Sequence, residues 1–317
     1  MSVPRPHTAL RTRRGRAAVV AIALAGLTLP VAGCGGGTST DAAGQAGGAT
    51  GAPATAKKVT EIAAAVPASI RKKGTLTVVM STSSPPAHFE SDGGTMKGLD
   101  PELAVLVGKV LGLRTKVQGV PLDQIIPGLQ AKRYDVVLSQ FSPTPERAKV
   151  VDFVDYAKSG TRLGVAGGNP KKLSMKALCG VRVGVQKGSS QTVDVVPSLN
   201  RACRGKGDKP VSMMTFRDSS SALLALRSSR VDGVLLDSPV LGYAVKQSHG
   251  KVAAAGTVDA NPVAVGVVKD SGLDKPVQKA LQYLKRSGAY DKLFARWGLQ
   301  GTALKAGEFR INDIKGE

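Results

Sequence analysis

Few side chains in this 317-residue sequence are suited to covalent chemistry: three cysteines (Cys34, Cys179, Cys203) and three histidines (His7, His88, His249). The histidines are widely separated, and none sits beside a recognisable serine or cysteine nucleophile, so no nucleophile–base pair is legible. No third thiol or neighbouring histidine pair accompanies Cys179 and Cys203, which argues against zinc. Neither a metal nor a cofactor is expected. What the cysteines do depends on the compartment. Arg11, Arg13, Arg14 and Arg16 precede an apolar run over residues 17–29, and small residues follow. A basic start, a short apolar middle and a small-residue end are the layout of a secretory signal, here spanning residues 1–33. Val31-Ala32-Gly33-Cys34 then has the form of a bacterial lipobox, whose cysteine is lipidated and becomes the mature N-terminus. That leaves an even pair in an exported chain, and Cys179 and Cys203 read as a disulfide. Closing a loop of that length contributes about 3 kcal/mol.

Residues 35–58 are mostly Gly, Ala, Ser and Thr, too poor in large apolar side chains to offset chain entropy. Residues 34–70 are therefore expected to be a flexible linker behind the lipidated cysteine, holding a soluble body at the outer face of a membrane. With 44 basic and 23 acidic residues the formal charge is +21, and +16 remains once the five arginines before Cys34 are set aside. The basic residues are dispersed and not interleaved with aromatics, which suits a solvated surface rather than a nucleic-acid interface. Apolar residues at 42% and charged residues at 21% are ordinary for a globular body of about two domains.

The elements that must position any site alternate between strands and helices. Short apolar runs at 76–80, 135–139, 181–185, 211–216, 231–236 and 263–268 read as strands. Leu103, Leu106, Val107, Val110 and Leu111 recur at helical spacing behind Asp100-Pro101, read as a cap and a first-turn proline. Further helices are expected near 125–131, after Thr144-Pro145, after Gly188-Ser189-Ser190, over 218–228, after Ser238-Pro239 and over 273–286. One segment recurs. Leu129-x-Ala131-x-Arg133-Tyr134-Asp135-x-Val137-Leu138 is echoed by Leu226-x-Ser228-x-Arg230-Val231-Asp232-x-Val234-Leu235. Two similar α/β halves predict two lobes around a cleft. Ligands of open α/β sheets sit at the carboxyl ends of the strands. The register places Ser139-Gln140-Phe141-Ser142 at one such end and Asp237 at its counterpart.

Taken together, several stretches resemble the family 3 extracellular solute-binding proteins of polar amino acid ABC transporters. They are Gly98-Leu99-Asp100-Pro101-Glu102-Leu103, Ile126-Pro127-Gly128-Leu129, Tyr134-Asp135, Ser142-Pro143-Thr144-Pro145-Glu146-Arg147, Val151-Asp152-Phe153, residues 183–191 and Asp237-Ser238-Pro239. Leu178-Cys179-Gly180 with Cys203 is similar to the actinobacterial branch. The resemblance covers roughly residues 71–300 and implies a type II periplasmic-binding fold, two Rossmann-like lobes joined by two crossover strands near 163–167 and 261–265. It implies lobe 1 over 71–165 plus 263–300, lobe 2 over 166–262 and a tail over 301–317. By the same resemblance, Arg147 holds the ligand α-carboxylate, helped by Ser142, by backbone N–H groups of Ser139 and Gln140, and by Ser190, with Gln191 beside it. Asp237 holds the α-ammonium. The residues have structural alternatives: Arg147 as an ion-pair partner, Asp237 as a helix cap, and Asp135, Asp152 and Asp232 as turn residues.

The sequence departs from the family where aromatics usually sandwich the ligand side chain. Those positions read Ser84, Ala87 and Leu122, and Ser81 replaces an acidic residue that serves cationic ligands. His88 or Phe89 is placed to reach in. The expected role is capture of a zwitterionic amino acid by a monomeric, non-enzymatic lipoprotein that delivers it to an ABC permease. The alternatives are a ligand sensor for a signalling partner, or a lyase or dehydratase on the same scaffold.

Overall fold

The computed structural model describes residues 51–257 and 261–314. The signal segment, Cys34 and the linker up to residue 50 lie outside the described residues. No helix among the described residues is long and apolar enough to cross a membrane.

The chain lays down β1 (Thr75–Ser81), a small sheet of β2 (Ser83–Ser84), β3 (His88–Glu90) and β4 (Met96–Lys97), then β5 (Arg114–Val120), β6 (Val136–Phe141) and β7 (Val151–Ser159). It passes to β8 (Thr161–Ala166), β9 (Arg182–Gln186), β10 (Ser212–Phe216), β11 (Gly233–Asp237) and β12 (Val252–Thr257), and returns through β13 (Asn261–Val268). The first lobe's sheet runs β5-β1-β6-β13-β7 and the second's β10-β9-β11-β8-β12. Each has three parallel strands. The fourth strand of each, β13 or β8, arrives from the other lobe and runs antiparallel to both neighbours. The β7–β8 crossing falls at Gly160 rather than within 163–167. Residues 161–165, assigned to the first lobe from sequence, lie in the second because β8 pairs with β11 and β12.

Helices cover both faces of the sheets, so central strands are buried along nearly their whole length. Every residue of β6 is buried, Ser139 and Gln140 included. The helix Leu99–Val110 packs Leu103, Leu106, Val107 and Val110 on the first sheet, alongside Leu281, Leu284, Tyr290 and Phe294 from helices Asp274–Arg286 and Ala289–Arg296. Asp100 does not cap that helix. Gly98 occupies the cap position at φ 125°, where a Cβ would lie 2.3 Å from the Ala87 carbonyl oxygen. The Asp100 carboxylate turns inward and accepts from Tyr156 Oη at 2.7 Å.

The repeated segments do the same job in both lobes. Asp135 accepts the Thr77 N–H of β1 at 2.7 Å, and Asp232 accepts the Arg182 N–H of β9 at 3.3 Å. Each pins the loop before its strand to the neighbouring strand. Lys73 pairs with Asp135, and Lys171 and Arg182 pair with Asp232. Hydrogen bonding from Arg182 holds the Asp232 carboxyl well below the usual carboxylate range. Asp152 likewise accepts the Asp270 N–H at 2.8 Å. Cys179 and Cys203 form a disulfide, Cα atoms 5.6 Å apart, tying the approach to β9 to helix Val196–Gly205.

Two segments expected to lie outside the lobes dock on the first. Within the expected linker, Thr60–Ala64 and Ala68–Lys73 are helical, Ile62, Ala63 and Val66 are buried, and Ala54 and Ala56 pack partly on the core. Few apolar residues suffice here because they join a completed core rather than build one. In the expected tail, Leu304 and Phe309 are buried, and the Leu304 N–H donates to Tyr290 Oη at 2.8 Å.

Asp155 on β7 is 3% exposed, and its Oδ1 has no hydrogen-bond partner. Burial pushes its carboxyl up to about 7, reinforced by Asp313 and opposed by Arg310 and Lys158. Between the ordinary aspartate value and about 7, the folded state holds a proton that the unfolded chain has released. Stability must therefore fall as pH rises through that window, by roughly 1.4 kcal/mol per unit of pKa difference. Asp155→Asn should flatten the decline of melting temperature between pH 4.5 and 7.5. An unchanged slope would show that Asp155 is not its source.

Candidate ligand-binding site

Arg147 sits on the short helix Pro145–Ala148, where Thr144 Oγ1 accepts the Arg147 N–H at 3.3 Å. This turn follows β6 directly. The guanidinium lies 3.9 Å from the Phe141 ring centroid and is 8% exposed as a residue. Its Nη1 donates to the Ser142 carbonyl at 2.7 Å and its Nη2 to the Gly188 carbonyl at 2.8 Å. The second bond crosses from one lobe to the other. Burial lowers the guanidinium to about 10, while Asp194 and Asp237 hold it up, so it stays charged at neutral pH.

Asp237 ends β11. Although it occupies the cap position of helix Ser238–Gln247, its side chain makes no cap hydrogen bond. Its Oδ1 instead accepts from Gln191 Nε2 at 2.8 Å, and the same amide donates to Thr161 Oγ1 at 3.0 Å. Burial raises the Asp237 carboxyl, and the Gln191 bond is the chief opposing influence. A raised carboxylate regains its ordinary acidity when a cation arrives. Gln191 is thus a positioning residue that fixes the carboxylate's direction.

Ser142, Ser190 and Asp237 line one cavity of about 370 Å³ together with Thr144, Thr161 and Asp194. That volume lies within the range of small-ligand pockets. Ser139 and Gln140 are placed differently. Ser139 Oγ accepts the Ser81 N–H at 2.9 Å, and the Gln140 amide donates to Tyr156 Oη at 2.9 Å. Both side chains are occupied inside the first lobe, and neither residue lines that cavity. Gln140 holds φ at +48°, in the left-handed region.

Several site neighbours escaped the sequence reading. Thr161 and Asp194 complete the cavity wall, and Gly188 offers its carbonyl to Arg147; Phe141, placed at the strand end from sequence, stacks on Arg147. Gly188 packs so closely on the first lobe that a Cβ would lie 3.1 Å from the Asp123 backbone. His88 is fully buried, its Nε2 2.7 Å from Ser81 Oγ and its Nδ1 2.8 Å from Asp100 Oδ2. This Ser81–His88–Asp100 relay lies beneath the cleft and joins residues that are apart in sequence.

The two-lobed α/β scaffold holds a buried cation, Arg147, bonded across to the second lobe through the Gly188 carbonyl, and sets Asp237 in the wall of the cavity that Ser142 also lines. Residues 76–300 match the bacterial extracellular solute-binding proteins, family 3, and the chain belongs to that family, with its type II periplasmic-binding fold. It is 28% identical over 243 residues to the arginine-binding protein ArgT of Corynebacterium glutamicum, covering 76% of this chain and 80% of that one. Among solved structures it is similar to an ancestral arginine-binding protein bound to arginine, with 34% identity, a TM-score of 0.64, and coverage of 71% and 98%. It is also similar to an ancestral amino acid-binding protein described as a precursor of cyclohexadienyl dehydratase, with 30% identity, a TM-score of 0.63, and coverage of 72% and 97%. These relatives are amino-acid-binding proteins, and this chain shares their solute-capturing architecture.

Truncating one partner of a desolvated charge pair costs about 2–5 kcal/mol of binding. Arg147→Ala should accordingly weaken amino acid binding by more than tenfold in a calorimetric titration. Equal affinity in the variant would remove Arg147 from the site.

Proposed function

We propose that this protein is a lipid-anchored receptor at the outer face of the cell membrane that captures an α-amino acid and delivers it to an ABC permease. The observation that carries the reading is the placement of Arg147 and Asp237. They come from different lobes, Asp237 in the cavity wall and Arg147 bonded to the Ser142 carbonyl of the same wall, and we read both as reaching the ligand, so that a ligand carrying both a carboxylate and an ammonium would link the lobes through its own two charges. The guanidinium fork suits a carboxylate bidentately, and Ser142, Ser190 and nearby backbone N–H groups complete the anion's shell. Asp237, oriented by Gln191, accepts from the ammonium. Closure about the β7–β8 and β12–β13 crossings then follows from ligand charge, a hinge motion that presents a loaded shape to a membrane partner. Cys34, behind its lipobox, supplies the anchor, and the protein works as a monomer.

Binding rather than catalysis fits the arrangement, since Asp237 is committed to the ammonium and Arg147 to the carboxylate. The likeness to a dehydratase precursor makes product formation from a cyclohexadienyl acid the assay for an enzyme.

Two measurements test the reading. Asp237→Asn should weaken α-amino acid binding by about two orders of magnitude while leaving the fold intact. Labelled palmitate should enter the wild-type chain, and Cys34→Ala should abolish both that label and membrane association. Tight binding by the Asn variant would dismiss the zwitterion clamp; a membrane-bound, unlabelled wild type would dismiss the anchor.

A further inference from the structure

A groove of about 1030 Å³ opens on the first lobe between β4, β5, helix Leu99–Val110 and the end of helix Ala289–Arg296. It shares no lining residue with the cavity that Asp237 lines. Phe89, Met96, Val105, Val117 and Trp297 supply its apolar wall. Val105 is 39% exposed, one of few large apolar side chains left open among the described residues. Trp297, the only tryptophan in the sequence, meets the Phe89 ring edge-on with centroids 6.2 Å apart. Apolar side chains gathered in this way behind a polar rim mark a contact surface rather than a stray exposed residue.

The rim fixes the sign of what covers it. Lys97 and Lys109 line the groove as exposed residues, and the one carboxylate in its wall, Glu102, faces Arg296 at 3.7 Å. Three cations against one carboxylate leave the wall positive. Lysines on flexible stems suit a layer of anions better than a single fixed anion, which calls for a directed fork. Basic and aromatic side chains together are the composition that settles at a lipid headgroup layer. The chain itself brings that layer near. Pro53 and Ala54 belong to the groove wall, and the described residues begin just before them, at Gly51. From there back to Cys34 the chain reaches at most about 60 Å even when fully extended. A bilayer holding Cys34 is therefore kept close to the groove, and contact between the two becomes effectively intramolecular.

We propose that this groove is a membrane-docking surface, in which Trp297, Phe89 and Val105 meet the headgroup layer while Lys97 and Lys109 pair with anionic phospholipids. Docking rests on the lipid anchor proposed above and goes beyond it: the anchor holds the chain to the membrane, and the groove turns the first lobe toward it.

The test places the lipidated chain, isolated from cell membranes, in vesicles of phosphatidylcholine alone or of an equal mixture with phosphatidylglycerol. Lipids brominated near the headgroup serve as quenchers, and Trp297 is the sole tryptophan reporter. Its emission should shift to the blue and be quenched in the mixed vesicles, stay unquenched in phosphatidylcholine, and recover at high salt. Lys97→Gln and Lys109→Gln should each lower the docked-to-undocked ratio about fivefold. Flotation of these variants with both kinds of vesicle should persist through Cys34, and an unchanged melting temperature reports that they are folded. A chain that floats with mixed vesicles yet stays unquenched would overturn the docking surface while leaving the anchor standing. Quenching indifferent to lipid charge or to both lysines, as by a groove filled with another protein, would overturn it equally. A chain that floats with neither kind of vesicle would overturn the anchor and the docking surface together.

Discussion

The structure depends on keeping a guanidinium charged in a place where water hardly reaches. Removing an ion from water costs several kcal/mol even after relaxation. Arg147 meets that cost with two backbone carbonyls, an aromatic face and the longer-range pull of Asp194 and Asp237. No carboxylate sits directly on it, so its attraction for an anion is retained. The remaining architecture keeps this arrangement in place: Thr144 caps the turn, β6 supplies Phe141, and the second lobe offers Gly188.

Asp237 answers on the opposite lobe by a different device. It sits where a cap would be, yet its carboxylate turns aside to the Gln191 amide, which Thr161 steadies in turn. One side of the cleft thus has a cation held by neutral dipoles, and the other an anion held by a neutral amide. Neither charge is cancelled internally. Asp237 lines the cavity that Ser142 and Ser190 also line, and Arg147 bonds to the Ser142 carbonyl.

What could be read from the sequence tracks which interactions are local. β6 and β11 were legible because they are buried on both faces, and their repeated Arg-x-Asp turns exposed the two-lobed plan. β5 and β12 were missed because, as edge strands, they carry too many polar or small residues to show a period, and β7 because Asp152, Asp155 and Lys158 interrupt its apolar run. Asp100 was misread as a cap because an aspartate before a proline looks the same whether it bonds its own helix or a tyrosine 56 residues away. The candidate site was nameable through family likeness, but its cross-cleft contacts were not: Ser83 and Ser220 are 137 residues apart, and nothing local marks them as partners.

The docked segment between Ala54 and Lys73 has a mechanical consequence. Its apolar residues pack on the first lobe alone, and the Val59 N–H is bonded to the Val110 carbonyl of that lobe. Whatever restrains the chain's amino-terminal end therefore restrains the first lobe, and a tug on it is borne by that lobe's core rather than by the hinge. On the proposed anchoring and hinge, the second lobe would be the moving jaw of the pair, swinging without dragging the first.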